Sequence, residues 1–226
     1  LKFFEIGKVF HTASAGISEE HTRLCVGFCG AQNNLDWHDS KKAYDLFTVK
    51  GFVQGVADLC KVKIRFTPGI NSIFHPTMQM DIQLGKNVVG SFGQIHPNLL
   101  DNKKMPKDIF LVEIDLDKVA EAMTTTVRMK AIPEIPAIRR DLALLAPVSV
   151  AHRDIQKILV AEGKTLLEDC HLFDVYQGKG IQDGFRSLAY SLSFRDAQKT
   201  LTDNEVQPLI DKMVARLEKD LQIKLR

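Results

Sequence analysis

A chain of 226 residues that is 45% hydrophobic and 26% charged has enough apolar material for one large core or two modest ones, and no bias towards disorder. Its apolar runs, such as the one around Leu142 to Val150, fall far short of the roughly 20 residues a membrane span needs, and no signal-peptide layout precedes them. The formal net charge is +2, with 16 Lys+Arg against 14 Asp+Glu in residues 1–132 and 14 against 14 in residues 133–226, so there is no polycationic domain. Any nucleic-acid contact is then local and shape-led, because diffuse attraction to phosphates needs a larger basic excess.

The chain starts at Leu1 without an initiator Met and runs straight into the strand-like Phe3-Phe4-Glu5-Ile6, so a piece of a longer protein is expected. Residues 1–130 read as an antiparallel α+β layer, with strands near 3–10, 22–31, 63–66, 78–84, 87–95 and 109–116. One helix is expected around Ala43 to Cys60, its buried stripe made of Leu46, Val49, Val53, Val56 and Cys60. Gly85, Gly90 and Gly93 punctuate paired strands, which makes them a poor phosphate cradle. Cys25, Cys29, Cys60 and Cys170 are irregularly spaced and lack a second Cys/His pair at zinc spacing, so they read as buried free thiols of a reducing compartment, the cytosol. His75 and His96, each before a proline, read as turn or core residues in preference to acid-base catalysts.

Two prolines three apart, Pro133 and Pro136, mark a linker at 131–136. Beyond it, residues 137–226 predict a strand over Asp141–Pro147, a helix capped by Ser149 with a stripe of Ile155, Ile158 and Leu159, and a strand from Glu168 to Tyr176. After the Gly178 and Gly180 loop comes a strand of strict alternation. Leu188, Tyr190, Leu192 and Phe194 lie on one face, Ser187, Ala189, Ser191 and Ser193 on the other. Thr202 with Glu205 predicts a capping box, followed by a helix with buried Val206, Leu209, Met213 and Leu217 and a short strand at 223–225. The order βαββαβ is that of a ferredoxin-like domain, a four-stranded antiparallel sheet with helices on one face and the other left open. The small polar side chains of that open face either admit a ribose, base or partner loop, or simply solvate the sheet.

A family resemblance enters with particular residues. Phe3-Phe4-Glu5-Ile6-Gly7-Lys8-Val9-Phe10, Asp45-Leu46-Phe47-Thr48-Val49-Lys50-Gly51, His75-Pro76 and Gly90-Ser91-Phe92-Gly93-Gln94-Ile95-His96-Pro97 resemble, in order, the signatures of the catalytic-like domain of the bacterial phenylalanyl-tRNA synthetase β subunit. Arg139-Arg140-Asp141-Leu142-Ala143-Leu144, Leu172-Phe173-Asp174-Val175-Tyr176-Gln177-Gly178, Ser187-Leu188-Ala189-Tyr190 and Thr200-Leu201-Thr202-Asp203 are similar to that subunit's anticodon-binding domain. The resemblance implies a non-catalytic class II synthetase-like domain followed by the ferredoxin-like domain, as part of a phenylalanine–tRNA ligase. The partners it implies are an α subunit, in an α2β2 heterotetramer, and tRNA-Phe, in the cytoplasm. ATP and magnesium belong to the whole enzyme, whose active site lies in the α subunit, and no cofactor, metal or catalytic residue is expected in this piece. No arginine follows the strands around Gly90 and Gly93 to hold ATP, and Phe194-Arg195-Asp196, superficially like a motif-two signature, lies in the other domain. Candidate RNA-binding residues are Arg139, Arg140, Tyr176, Arg186, Ser187 and Ser191, since loop bases are read by stacking and by hydrogen bonds to their edges. Each has a plainer reading: Arg139, Arg140 and Asp141 as a surface ion-pair cluster, Tyr176 as packing under the Gly178 loop. Phe173 and Asp174 lie on a strand that is apolar on both parities, which leaves its facing open. The alternative function is a ferredoxin-like interaction or regulatory module without RNA.

Overall fold

The computed structural model describes residues 1–12, 18–32, 42–101, 105–123, 129 and 132–226. Its Cα atoms form two compact units, Leu1–Arg128 and Met129–Arg226. Residue 131 of the expected linker lies outside the described residues. Among the described residues no helix is long and apolar enough to cross a membrane.

The first unit is built on a six-stranded sheet of β1 (Lys2–Thr12), β2 (Ser18–Cys29), β3 (Ile64–Pro68), β4 (Phe74–Leu84), β5 (Asn87–Ile95) and β6 (Ile109–Asp115). The spatial order is β1-β2-β6-β5-β4-β3 and every pairing is antiparallel. Strand β2 begins four residues earlier than its apolar pattern predicts, because Thr12 to Lys8 pair with Ser18 to Thr22 in an extension whose side chains are mostly exposed. Such a ladder needs backbone hydrogen bonds and leaves no hydrophobic trace in sequence.

Helix α1 (Leu46–Leu59) is capped by Asp45, which accepts from the Thr48 amide and hydroxyl, each at 2.6 Å. It buries Leu46, Val49, Val53 and Ala57 against Val26, Phe92, Val112 and Ile114. Ala57 takes a core position that the expected stripe assigned to Val56, which with Cys60 is only partly buried. The last strand stops at Asp115 because its side chain caps a second helix, α2 (Leu116–Ala122), which the sequence pattern did not reveal. All four cysteines are free, but Cys25 is exposed and the others are half-buried. The expectation of buried thiols fails because β2 turns Cys25 to the sheet face opposite α1, where its pairing partners are Glu5 and Glu113.

The second unit contains β7 (Ile138–Pro147), α3 (His152–Gly163), β8 (Leu167–Tyr176), β9 (Phe185–Phe194), α4 (Asp203–Leu221) and β10 (Lys224–Leu225). Its sheet has the order β10-β7-β9-β8, all antiparallel, which is the ferredoxin-like arrangement. Leu142, Leu144, Leu188, Tyr190, Leu192 and Phe194 form the floor of the core, and Ile155, Leu159, Val206, Met213 and Leu217 from the two helices close it. Ser149 is not the cap of α3. The helix starts later, at His152, with Ala151 at the cap position and no side-chain cap, because Ser149 lies within the turn leaving β7. At α4 the Glu205 carboxylate reaches back to the Thr202 amide at 2.9 Å and hydroxyl at 3.0 Å, and Lys199 closes on the same group.

Candidate nucleic-acid interface

Strand register sorts the second unit's side chains without ambiguity. In an antiparallel sheet, directly paired residues point to the same face. The face away from α3 and α4 therefore carries four rows. Arg139, Ser193 and Asp169 form the first, and Asp141, Ser191 and His171 the second. The third joins Ala143, Ala189 and Asp174, with the Arg226 amide bonded to the Ala143 carbonyl at 3.0 Å. The fourth joins Lys224, Leu145, Ser187 and Tyr176.

The β8 column changes parity partway along. His171 pairs with Ser191 and Leu172 with Tyr190, but Asp174, not Phe173, pairs with Ala189. Phe173 is the extra residue of a β-bulge, and from there to the strand's end the even positions face outward. That resolves the facing left open by an apolar run of both parities. Asp174 and Tyr176 stand on the open face, Val175 on the other.

The six expected residues separate into two groups. Arg139, Tyr176, Ser187 and Ser191 share the open face. Arg140 and Arg186 do not. Arg140 has the parity of Leu142, and its guanidinium pairs with Asp203 at the first turn of α4 while donating to the Arg139 carbonyl at 2.8 Å. Arg186 has the parity of Leu188 and donates to the Val150 carbonyl at 2.8 Å on the helix side. The alternation legible in β9 already carried the Arg186 result, since 186 and 188 differ by two. Among those that do face outward, Ser187 is buried, its hydroxyl accepting from Arg226 Nη1 at 3.1 Å. The Tyr176 hydroxyl donates to the Lys179 carbonyl at 3.0 Å, under the loop that holds Gly178. The residue is 40% exposed, so the loop fixes the orientation of its ring and leaves part of it open.

Sequence reasoning missed His171, Asp174, Lys224 and Arg226 as members of this face. The bulge hid Asp174, and the two-residue strand β10 is too short to show a period. Among the described residues, Arg139, Asp141, His171, Asp174 and Lys224 have no side-chain hydrogen bond or ion pair, so their polar groups are available to a ligand. On the helix side, burial raises the Tyr190 phenol well above its usual range and the Cys170 thiol to about 11, so neither ionises near neutrality.

Among the described residues, the first unit's polar groups are mostly engaged with one another. A Cβ at Gly90 would meet the Glu113 carbonyl oxygen at 2.2 Å, and one at Gly93 the Met78 carbonyl oxygen at 2.6 Å, so both glycines serve strand approach. A polar pocket of about 320 Å³ beside Gly90 holds Arg23 and Lys118, but Arg23 pairs with Glu113 and Lys118 with Asp115 at 3.5 Å. The His75 and His96 rings stack with centroids 6.4 Å apart, each Nδ1 accepting a backbone amide two residues on; His75 lies in the first residues of β4 and His96 caps the 3-10 turn Pro97–Leu99. His21, Asp115 and Asp117 could together ligate a cation, though Asp115 already caps α2 and Asp117 accepts from the Thr22 amide at 2.7 Å. Arg195 is structural, bound to Glu168 at 2.9 Å and to the Ile135 carbonyl. Phe4, Ile6 and Phe10 are exposed along β1, beside an apolar groove of about 590 Å³ floored by Leu24, Val26 and Phe28 and flanked by Phe52 of α1. Contiguous exposed apolar surface of this kind is the composition of interaction surfaces and ligand grooves.

Comparison with known proteins follows the same division. The family described as phenylalanyl tRNA synthetase beta chain CLM domain matches residues 1–116, and the ferredoxin-fold anticodon binding domain matches residues 133–226. The phenylalanine–tRNA ligase beta subunit of Clostridium acetobutylicum is 32% identical over 229 residues, covering 100% of this chain and 27% of the relative. That of Geobacillus kaustophilus is 32% identical over 226 residues, 99% of this chain and 28% of the relative. That of Oceanobacillus iheyensis is 31% identical over 222 residues, 97% of this chain and 27% of the relative. The chain thus spans just over a quarter of the length of these curated relatives.

Proposed function

The chain belongs to the phenylalanyl-tRNA synthetase β chain family, and on that premise we propose that it acts as part of a phenylalanine–tRNA ligase β subunit. In this reading residues 1–130 are a class II synthetase-like domain without catalysis, 131–136 a linker, and 137–226 the domain that contacts the anticodon region of tRNA-Phe. The attachment of phenylalanine, with ATP and magnesium, takes place on the α subunit of an α2β2 complex in the cytoplasm. This chain's part is to bind and orient.

One observation carries the RNA reading: a domain matched to the anticodon-binding family presents Arg139, Ser191, Asp174 and Tyr176 together on its open sheet face. Unpaired loop bases are read by stacking on aromatic rings and by hydrogen bonds to their exposed edges. Tyr176 supplies a ring of fixed orientation. Ser191, His171 and Asp174 supply hydrogen-bonding groups, and the small Ala143 and Ala189 let a base approach the sheet. With equal numbers of cations and anions in residues 133–226, affinity must come from this local fit more than from net charge. For the first unit, the apolar face at β1 favours contact with protein over contact with RNA.

The test is a salt titration of binding to tRNA-Phe and to the same RNA with its anticodon replaced. Preference for the first by tenfold or more, about 1.4 kcal/mol, is the expected result. Equal binding to both would remove the anticodon role and leave a module for protein contact. Capture of this chain by co-expressed α subunit tests the partner.

A further inference from the structure

We propose that RNA lies across the open sheet in a single polarity, its phosphates along β10 over Lys224 and Arg226 and its bases turned towards β8. This rests on the anticodon reading above and adds to it a direction and two residues.

The charges of the open face are sorted by strand. The β10 column carries Lys224 and Arg226 and no acidic side chain, and the β8 column carries Asp169 and Asp174, with His171 between them and no Lys or Arg. Between them β9 presents only Ser187, Ala189, Ser191 and Ser193, a shallow trough of small side chains. On β7, Arg139 and Asp141 stand two residues apart and offset one another. Lys179 lies beyond the end of β8, in the loop. Strands are about 4.8 Å apart, so the cationic and anionic columns are separated by three spacings, about 14 Å, room for one nucleotide laid across the sheet.

A polyanion placed on this face with its backbone over β8 would set phosphates against two carboxylates that have no cationic partner among the described residues. Turned the other way, the phosphates meet an ammonium and a guanidinium. The carboxylates then face bases, whose N–H groups they accept. Arg226 is held for this role: its amide is bonded to the Ala143 carbonyl and its Nη1 to Ser187 Oγ at 3.1 Å, which leaves its other guanidinium donors free of any partner among the described residues.

The experiment measures binding of this chain to a tRNA-Phe transcript and to its anticodon-replaced counterpart across a salt series. For K224Q/R226Q the expected result is a fall in affinity by the same factor on both RNAs, and a plot of log K against log salt flattened by about 1.4, or about 0.7 for each lost phosphate contact to a single strand. R226K on the K224Q background restores about half of that slope, since it returns one charge. D169N/D174N leaves the slope unchanged. A slope indifferent to K224Q/R226Q overturns the proposal, as does D169N/D174N raising affinity for both RNAs alike, which would put phosphates over β8. If the parent chain does not distinguish the two RNAs, the anticodon reading fails and the polarity with it. If it distinguishes them but the slope ignores Lys224 and Arg226, the polarity alone fails.

Discussion

Gly90 lies so close to Glu113 that a Cβ on it would sit 2.2 Å from the Glu113 carbonyl oxygen. The two residues belong to adjacent strands, β5 and β6, and the approach occurs beside a register shift in the β4–β5 ladder between Ile82 and Gln83. A motif that could be mistaken for a nucleotide loop is therefore a packing requirement of the sheet.

Gly90→Ala should accordingly destabilise the first unit by about 1–3 kcal/mol, because the clash is with backbone that cannot swing away. Gly51 is the control. It lies inside α1 with nothing within 4 Å of its missing Cβ, so Gly51→Ala should stabilise by about 0.5–1 kcal/mol through backbone entropy alone. Urea unfolding of the two variants checks both signs.

The α4 cap predicts a pH dependence. Glu205 is held down to about 2, against its ordinary 4.5, first by the hydrogen bond from Lys199 and then by those from Thr202. A carboxyl depressed in the folded state contributes stability above its unfolded pKa and loses it as pH falls towards the folded one. The difference in melting temperature between the parent chain and Glu205→Gln should be full above about pH 5 and shrink from there towards pH 2. A gap that persists at pH 2 would show that Glu205 acts by shape and not by charge.

Two adjacent arginines should behave oppositely. Arg140→Ala removes the pairing with Asp203 and should cost at most about 1 kcal/mol, since Asp203 is largely exposed, while leaving RNA affinity nearly unchanged. Arg139→Ala should leave stability within about 0.5 kcal/mol and weaken tRNA binding. Thermal melts and binding isotherms on the same preparations separate them.

On β8 and β9, facing should decide the cost of truncation. Leu192 is fully buried against the helices, and Leu192→Ala should cost about 2–5 kcal/mol. Phe173, the bulge residue, is 53% exposed, and Phe173→Ser should cost under about 1 kcal/mol if the bulge persists without its ring. A much larger loss at Phe173 would mean that its side chain, not the backbone register, maintains the bulge.

The second unit was legible in sequence to the level of its fold. The alternation from Ser187 to Phe194, the stripe of Ile155, Ile158 and Leu159, and the Thr202 and Glu205 pair are patterns over a few residues, and each maps onto β9, α3 and α4 as expected. Local periodicity suffices there because one face of each element is buried. The same rule, carried two residues back, puts Arg186 and Arg140 on the helix side, so that part of the candidate site was readable as well.

Sequence by itself determined most of the elements, though not α2, and with them which face of β9 and α4 is apolar and the family to which the chain belongs. Tertiary structure alone decided which residues meet. The Phe173 bulge turns Asp174 and Tyr176 outward, the two-residue strand β10 brings Arg226 to Ser187, and Gly90 is needed because the Glu113 carbonyl, beside its pairing partner Ile114, leaves no room for a Cβ. Each of these depends on hydrogen bonds to a strand distant in sequence. A one-residue offset in such a ladder reverses every side chain beyond it, while the chain's own pattern of apolar and polar residues stays the same.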